Sequence, residues 1–70
     1  MKAVKAEIIT IGDEILYGHI LDTNSQWLSE EFDKIGVRIV TKTTIGDNED
    51  DILYAFSEAE KRADIVIITG

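Results

Sequence analysis

Cysteine and proline are both missing from the 70 residues of this chain, and basic residues are scarce, 7 against 14 acids. Without cysteine, neither a disulfide framework nor a thiolate zinc site can reinforce a small core. A cysteine nucleophile is excluded with it. The formal charge of -7 disfavours a surface that neutralises nucleic-acid phosphates. It leaves open a small phosphorylated ligand, which backbone N–H groups and a divalent cation can bind without lysine. Long apolar runs are lacking too: none exceeds five residues, and "IVII" is far too short to span a bilayer. The opening "MKAVKAEIITIG" has neither the apolar stretch nor the small-residue cleavage site of a signal peptide. The expectation is a cytoplasmic protein with neither nucleic acid nor membrane as partner.

What is present describes one small globular unit. Hydrophobic residues make up 44% and charged residues 30%, the balance of an ordinary folded domain. No repeat or low-complexity segment appears, and the apolar pattern alternates between two periods. "AEIITIG" (Ala6 to Gly12) is a β-branched run ending at glycine and reads as a strand. From Asn24 to Ile35, Leu28, Phe32 and Ile35 fall on one helical face. Thr23, with Gln26 three residues on, or Asn24 itself is the expected cap, and Lys34 and Gly36 suit the end. "VRIVTKTTIG" (Val37 to Gly46) alternates and is rich in Val, Ile and Thr, so it reads as a second strand. In the next helix, Ile52, Phe56, Ala59 and Ala63 share a face, with Asn48 as cap. Its acids Glu49, Asp50 and Asp51 come first and Lys61 and Arg62 last, as the helix dipole favours. "DIVIITG" is a third strand.

The order βαβαβ predicts an α/β fold with parallel strands and right-handed crossovers. Strands one and three are almost continuously apolar, as strands covered on both faces are. Strand two carries Arg38, Thr41, Lys42 and Thr43 and looks like an edge. That predicts the strand order 2-1-3, helices on opposite faces, and three layers. Ligands in such sheets bind at the carboxyl ends of the strands where the winding reverses. Strand three would then be a bare edge of Ile and Val, which natural proteins avoid. Residues 1–70 therefore read as the first part of a larger domain.

In this topology the loops after the three strands share one rim. They gather Gly12, Asp13 and Glu14, then Gly46, Asp47 and Asn48, then Thr69 and Gly70. Glycine admits a ligand's oxygens to the backbone, and carboxylates hold Mg²⁺ between protein and phosphate. The plain alternatives are that Asp47 or Asn48 caps the second helix and that Asp13 stabilises a turn. "TNSQ" opens a helix, where the hydroxyl and amide of Thr23 and Asn24 also suit an anion. His19 has no second histidine to act with and reads as a solvent-exposed loop residue. Tyr17 and Tyr54 form no constellation, Trp27 reads as packing, and Ser25, Ser29 and Ser57 lack a nucleophile-elbow context.

Three blocks then carry a resemblance: "IITIGDEILYGHILDTNSQWLSEEF", "TTIGDNEDDI" and "ADIVIITG". In this order and spacing they closely resemble the opening of the CinA family of competence/damage-inducible proteins. The N-terminal domain of that family belongs to the molybdopterin-binding-like (MoCF) superfamily, with MogA, MoaB and the third domain of MoeA. The resemblance implies a three-layer α/β domain that binds a phosphorylated nucleotide or pterin at its strand ends. It implies that Asp13 and Asp47 lie near a divalent metal, Mg²⁺ in the first place, and act in catalysis. Gly12, Glu14, Thr23, Asn24, Gly46, Asn48, Thr69 and Gly70 would contact phosphate or nucleotide. Asp13 stands in "GDE", where MogA-like adenylyltransferases have "SD", so a pterin role is less directly implied for it. A glycine-rich phosphate loop, "GG-GPT", follows in such proteins, with Thr69–Gly70 as its first residues.

The activity so implied is metal-dependent ADP-ribose pyrophosphatase in pyridine-nucleotide recycling. A separate C-terminal domain deamidates nicotinamide mononucleotide in full-length proteins of this kind. The whole protein is then expected to be a homo-oligomeric hydrolase, and the 70-residue piece by itself to turn over nothing. The alternatives are a pterin-binding domain of molybdenum-cofactor synthesis, and a scaffold for oligomerisation without catalysis.

Overall fold

Sequence periodicity becomes three parallel strands flanked by helices in the computed structural model, which describes residues 3–70. The elements are β1 (Lys5–Ile11), α1 (Asp13–Leu16), α2 (Thr23–Lys34), β2 (Arg38–Ile45), α3 (Glu49–Arg62) and β3 (Ile65–Thr69). Both pairings are parallel and the strand order is β2-β1-β3, as expected. The central strand is buried from Ala6 to Thr10, because helices cover it on both faces.

The two faces are held by different chemistry. On one, Ile9 packs with Ala55 and Ala59 of α3, and Ile11, Ile45 and Val66 close around them. On the other, β1 meets the start of α2 through a hydrogen bond from the Thr10 hydroxyl to Asp22, 2.8 Å long. At β3 the expected bare edge is present: Ile65 and Ile68 are exposed.

Several local expectations are corrected. The face α3 turns inward is Ile52, Ala55 and Ala59; Phe56 is exposed. A helix lying close on a sheet accepts methyl groups at its line of contact and moves a phenyl ring aside. Ile35 lies beyond the last helical residue of α2 as its C-cap, and is exposed. Neither Thr23 nor Asn24 caps α2; the cap is Asp22, whose Oδ1 accepts from the Ser25 amide at 3.0 Å. Trp27 is 59% exposed on the outer side of α2 and packs into no core. The Asp13 segment is a single helical turn, α1, where the sequence pattern offers only a loop.

The end of α2 shows why Gly36 stands where it does. Its φ is +82°, the left-handed region that favours glycine. The Gly36 amide donates to Asp33 at 3.1 Å and the Val37 amide to Phe32 at 2.9 Å. That pair of bonds is a Schellman closure, and it turns the chain back into β2.

Candidate functional site

The rim at the carboxyl ends of the strands is assembled from two copies of one tetrapeptide. β1 runs out through Thr10-Ile11-Gly12-Asp13 and β2 through Thr44-Ile45-Gly46-Asp47, both reading TIGD. Thr10 pairs with Thr44 and Ile11 with Ile45, so the two copies lie abreast. The ladder continues one step further, the Gly12 amide donating to the Ile45 carbonyl at 2.9 Å. A four-residue echo is too short to register as a repeat, yet it is the signal that marks the rim. Thr69 pairs with Thr10 from the other side, making a row of three hydroxyl residues, Thr44, Thr10 and Thr69, across the sheet.

Beyond the strands the two copies diverge and lock together. Asp13 begins α1, and its Oδ1 accepts a hydrogen bond from the backbone N–H of Asp47 at 3.1 Å. Gly46 leaves the room for this. A β-carbon at Gly46 would collide with Asp13 Oδ1 and press against Leu16. Gly12 is buried, and the Glu14 carboxylate folds back over it, with Oε1 2.9 Å from where a β-carbon would stand. Gly70 comes equally close to β1, a β-carbon there meeting the Ile11 carbonyl oxygen at 3.1 Å.

The structure thus unites Gly12, Asp13, Glu14, Gly46, Asp47, Thr69 and Gly70 at one end of the sheet. Asn48 belongs to the helix as its cap, with Oδ1 accepting from the Asp51 amide at 3.1 Å. Thr23 and Asn24 are exposed in the first turn of α2, and the group that ties this turn to the sheet is their neighbour Asp22. His19 is exposed beside Tyr17 in the connecting loop.

Asp22 escaped the sequence reading and is the hub of the second loop. Oδ2 accepts from the hydroxyls of Thr10 and Ser25, and Oδ1 from the Ser25 amide. Burial pushes its carboxyl up. The Ser25 and Thr10 bonds and the nearby Lys42 charge outweigh that and hold it below the usual range. The sequence signal was Asp22 three residues before Ser25, the spacing of an N-cap.

Charge decides what such a rim can receive. Residues 12–22 and 46–60, the loops and helix starts that build it, contain no lysine or arginine. An anion reaching it meets the exposed carboxylates of Asp13, Glu14 and Asp47, which repel it. Among the described residues no three Asp, Glu, His or Cys side chains converge as an all-protein cage. Two rim carboxylates fit instead the habit of Mg²⁺, which keeps several waters and shares the oxygens of a bound phosphate.

The domain model described as a probable molybdopterin binding domain matches residues 7–70. The chain belongs to that family. It is 55% identical to a CinA-like protein of Cytophaga hutchinsonii over 67 residues, 96% of this chain and 16% of that protein. It is 51% identical over 67 residues to a CinA-like protein of Kosmotoga olearia, again 96% of this chain and 16% of the relative. The chain therefore spans about one sixth of the length of these curated relatives. Among solved structures it superposes on the CinA protein of Thermoplasma acidophilum with a TM-score of 0.92 at 31% identity, covering 97% of this chain and 40% of that one. On the tungsten cofactor synthesizing protein MoaB of Pyrococcus furiosus the TM-score is 0.88 at 31% identity, covering 100% and 44%. The α/β fold with order 2-1-3 is shared with both, and no described helix is long and apolar enough to cross a membrane.

Proposed function

We propose that this MoCF domain binds a phosphorylated nucleotide at its strand ends. The whole protein is then a metal-dependent ADP-ribose pyrophosphatase of pyridine-nucleotide recycling, in the cytoplasm. The observation that carries the reading is the hydrogen bond between the two TIGD ends, Asp47 N–H to Asp13 Oδ1. It gathers two carboxylates on a rim whose own segments carry no lysine or arginine, where the winding of the sheet reverses. The divalent ion, Mg²⁺ in the first place, would lower the charge on the pyrophosphate as it is attacked. The chain's own part is to shape the rim. Gly12 and Gly46 give room for the Glu14 and Asp13 carboxylates to lie against the strand ends, and Asp13 and Asp47 present oxygens. The phosphate itself would rest on the glycine-rich loop that the resemblance implies beyond Gly70. In the reaction water adds to one phosphorus and the P–O–P bridge breaks, releasing AMP and ribose 5-phosphate.

The likeness to MoaB over the whole chain supports a second reading, a pterin ligand at the same rim. One experiment separates the two. The full-length protein is assayed for Mg²⁺-dependent hydrolysis of ADP-ribose and, in parallel, for binding of molybdopterin. Hydrolysis lost in Asp47→Asn supports the first; molybdopterin binding without hydrolysis supports the second. Neither activity, with a stable oligomer retained, supports a scaffold.

A further inference from the structure

We propose that a second copy of this chain joins the sheet at β2, antiparallel, about a twofold axis through Thr43. The proposal concerns assembly and stands apart from the nucleotide reading. β2 is one edge of the sheet and, at eight residues, the longest of the three described strands. The Gly12 amide bonds to the Ile45 carbonyl, so Ile45, Thr43 and Thr41 turn their backbone groups toward β1. Lys42 and Thr44 turn theirs to the open side, and both side chains are exposed. The register slip of β2 lies before Thr41, so residues 41–45 are regular. Grooves flank this edge on both faces of the sheet. One of about 490 Å³ lies beside Glu30, Asp33 and Ile39, and one of about 340 Å³ beside Thr43, Asp51, Tyr54 and Glu58.

Charge names the occupant. Along this stretch the bases Arg38 and Lys42 come first, and the acids Asp47, Glu49, Asp50 and Asp51 follow. Antiparallel pairing sets the basic start of each copy beside the acidic end of the other, whereas parallel pairing sets like beside like. A contact between identical surfaces requires such self-complementarity. Lys42 fixes the register. Lysine on an edge blocks most incoming strands, and an axis through Lys42 itself would lay like charges directly opposite. With the axis at Thr43, Lys42 faces Thr44 of the second copy and exchanges both backbone hydrogen bonds with it. Thr43 then faces its own copy, and Arg38 falls beside the loop that carries Asp47 and Glu49.

Sedimentation of the full-length protein over a range of micromolar concentrations tests this, with exchange of the Lys42 and Thr44 amides as a second readout. A dimer, or an assembly of dimers, with both amides slow to exchange is expected. Thr44→Lys lays like charges across the axis and should weaken the dimer about fivefold or more. Adding Lys42→Glu makes those contacts opposite in sign and should restore at least wild-type strength. Lys42→Pro removes only an N–H on the open side and should weaken the dimer about tenfold or more. If Lys42→Pro does not fold, the charge exchange still decides. A monomer, a trimer, or a dimer indifferent to these variants overturns the proposal. So does weakening by Thr44→Lys that Lys42→Glu fails to rescue, which excludes the axis at Thr43. A monomer with both amides protected also overturns it, and assigns the edge to another segment of the same chain.

Discussion

Arg62, in the last turn of α3, grips the buried carboxylate of Glu7 on β1 with two hydrogen bonds. Nε lies 2.7 Å from Oε1 and Nη2 3.1 Å from Oε2. The Thr43 hydroxyl adds a third at 3.1 Å from β2. Glu7 has no solvent-accessible surface, so it is a charge placed inside an otherwise apolar strand and fully paired there. The register of β2 slips beside it: Ala6 faces Ile39 but Glu7 faces Thr41, a bulge that leaves Val40 over. One contact thus joins three elements at the end of the sheet opposite the rim.

The first prediction concerns acid. The Arg62 bonds hold the Glu7 carboxyl below its ordinary range, against the opposing effect of burial. A group whose folded pKa is depressed stabilises the fold fully above its unfolded value. That contribution disappears as pH falls through the lower, folded value. Urea midpoints should therefore drop as pH falls below the usual glutamate range, and Glu7→Gln should flatten that limb. At about pH 7 the same variant should lose roughly 1–2 kcal/mol. The loss stays modest because Arg62 is half in water and can rehydrate. An unchanged acid limb in Glu7→Gln would assign the limb to another carboxylate.

The second prediction concerns Asp22. Asp22→Ala removes a helix cap and strands the buried Thr10 hydroxyl together. Caps contribute about 1 kcal/mol and an abandoned buried hydroxyl costs about 1–3 kcal/mol. A loss of about 2–3 kcal/mol in urea unfolding is expected. Asp22→Asn, which can still accept from the Ser25 amide, should recover about half of it. Equal losses for the two variants would mean that charge, and not capping geometry, holds the helix start.

Gly36 gives a third, cleaner case. Open space surrounds the position where a β-carbon would stand, so packing does not enter. Gly36→Ala should still cost about 1–2 kcal/mol, purely from the left-handed backbone, with the denaturant slope unchanged. Gly36→Asn should cost less, because asparagine visits that region more readily. If alanine is as stable as glycine there, the Schellman closure does not form as described.

These residues also show what a sequence reveals. Three strands and two long helices were legible because β-branched runs and helical periods differ in kind. The order 2-1-3 was legible because polar residues on β2 mark an edge and apolar residues on β1 do not. The shared rim followed from topology, and Asp13 and Asp47 do adjoin on it. Most of the illegible part is of one kind: features set by a partner far along the chain. Glu7 pairs with Arg62, 55 residues away, and nothing in "AEIITI" announces it. Ala55 and Ala59 rather than Phe56 pack on Ile9, a choice made by the partner strand and not by the helical wheel. The α1 turn is too short to have a period. The echo of TIGD was readable, but its meaning required knowing that the two strands are neighbours.

The last prediction follows from the nucleotide reading proposed above and from a rim that gathers Asp13, Glu14 and Asp47 without lysine or arginine. Such a site should bind a divalent ion poorly alone and a nucleotide poorly alone, but each well in the presence of the other. Mg²⁺ is commonly held by one or two protein carboxylates together with substrate phosphates. Mn²⁺ titrated into the full-length protein and followed by paramagnetic resonance should bind in about the millimolar range without nucleotide. Saturating ADP-ribose should tighten it about tenfold or more, and by linkage Mn²⁺ must tighten ADP-ribose by the same factor. Chelation should therefore release the nucleotide and leave the fold intact, since β1, β2 and α3 are held by Ile9, Ala55, Ala59 and the Glu7–Arg62 pair. Tight Mn²⁺ binding in the absence of nucleotide would mean that residues beyond Asp13 and Asp47 complete a cage. Equal ADP-ribose affinity with and without the metal would mean that the phosphates are met by a cationic group outside these 70 residues.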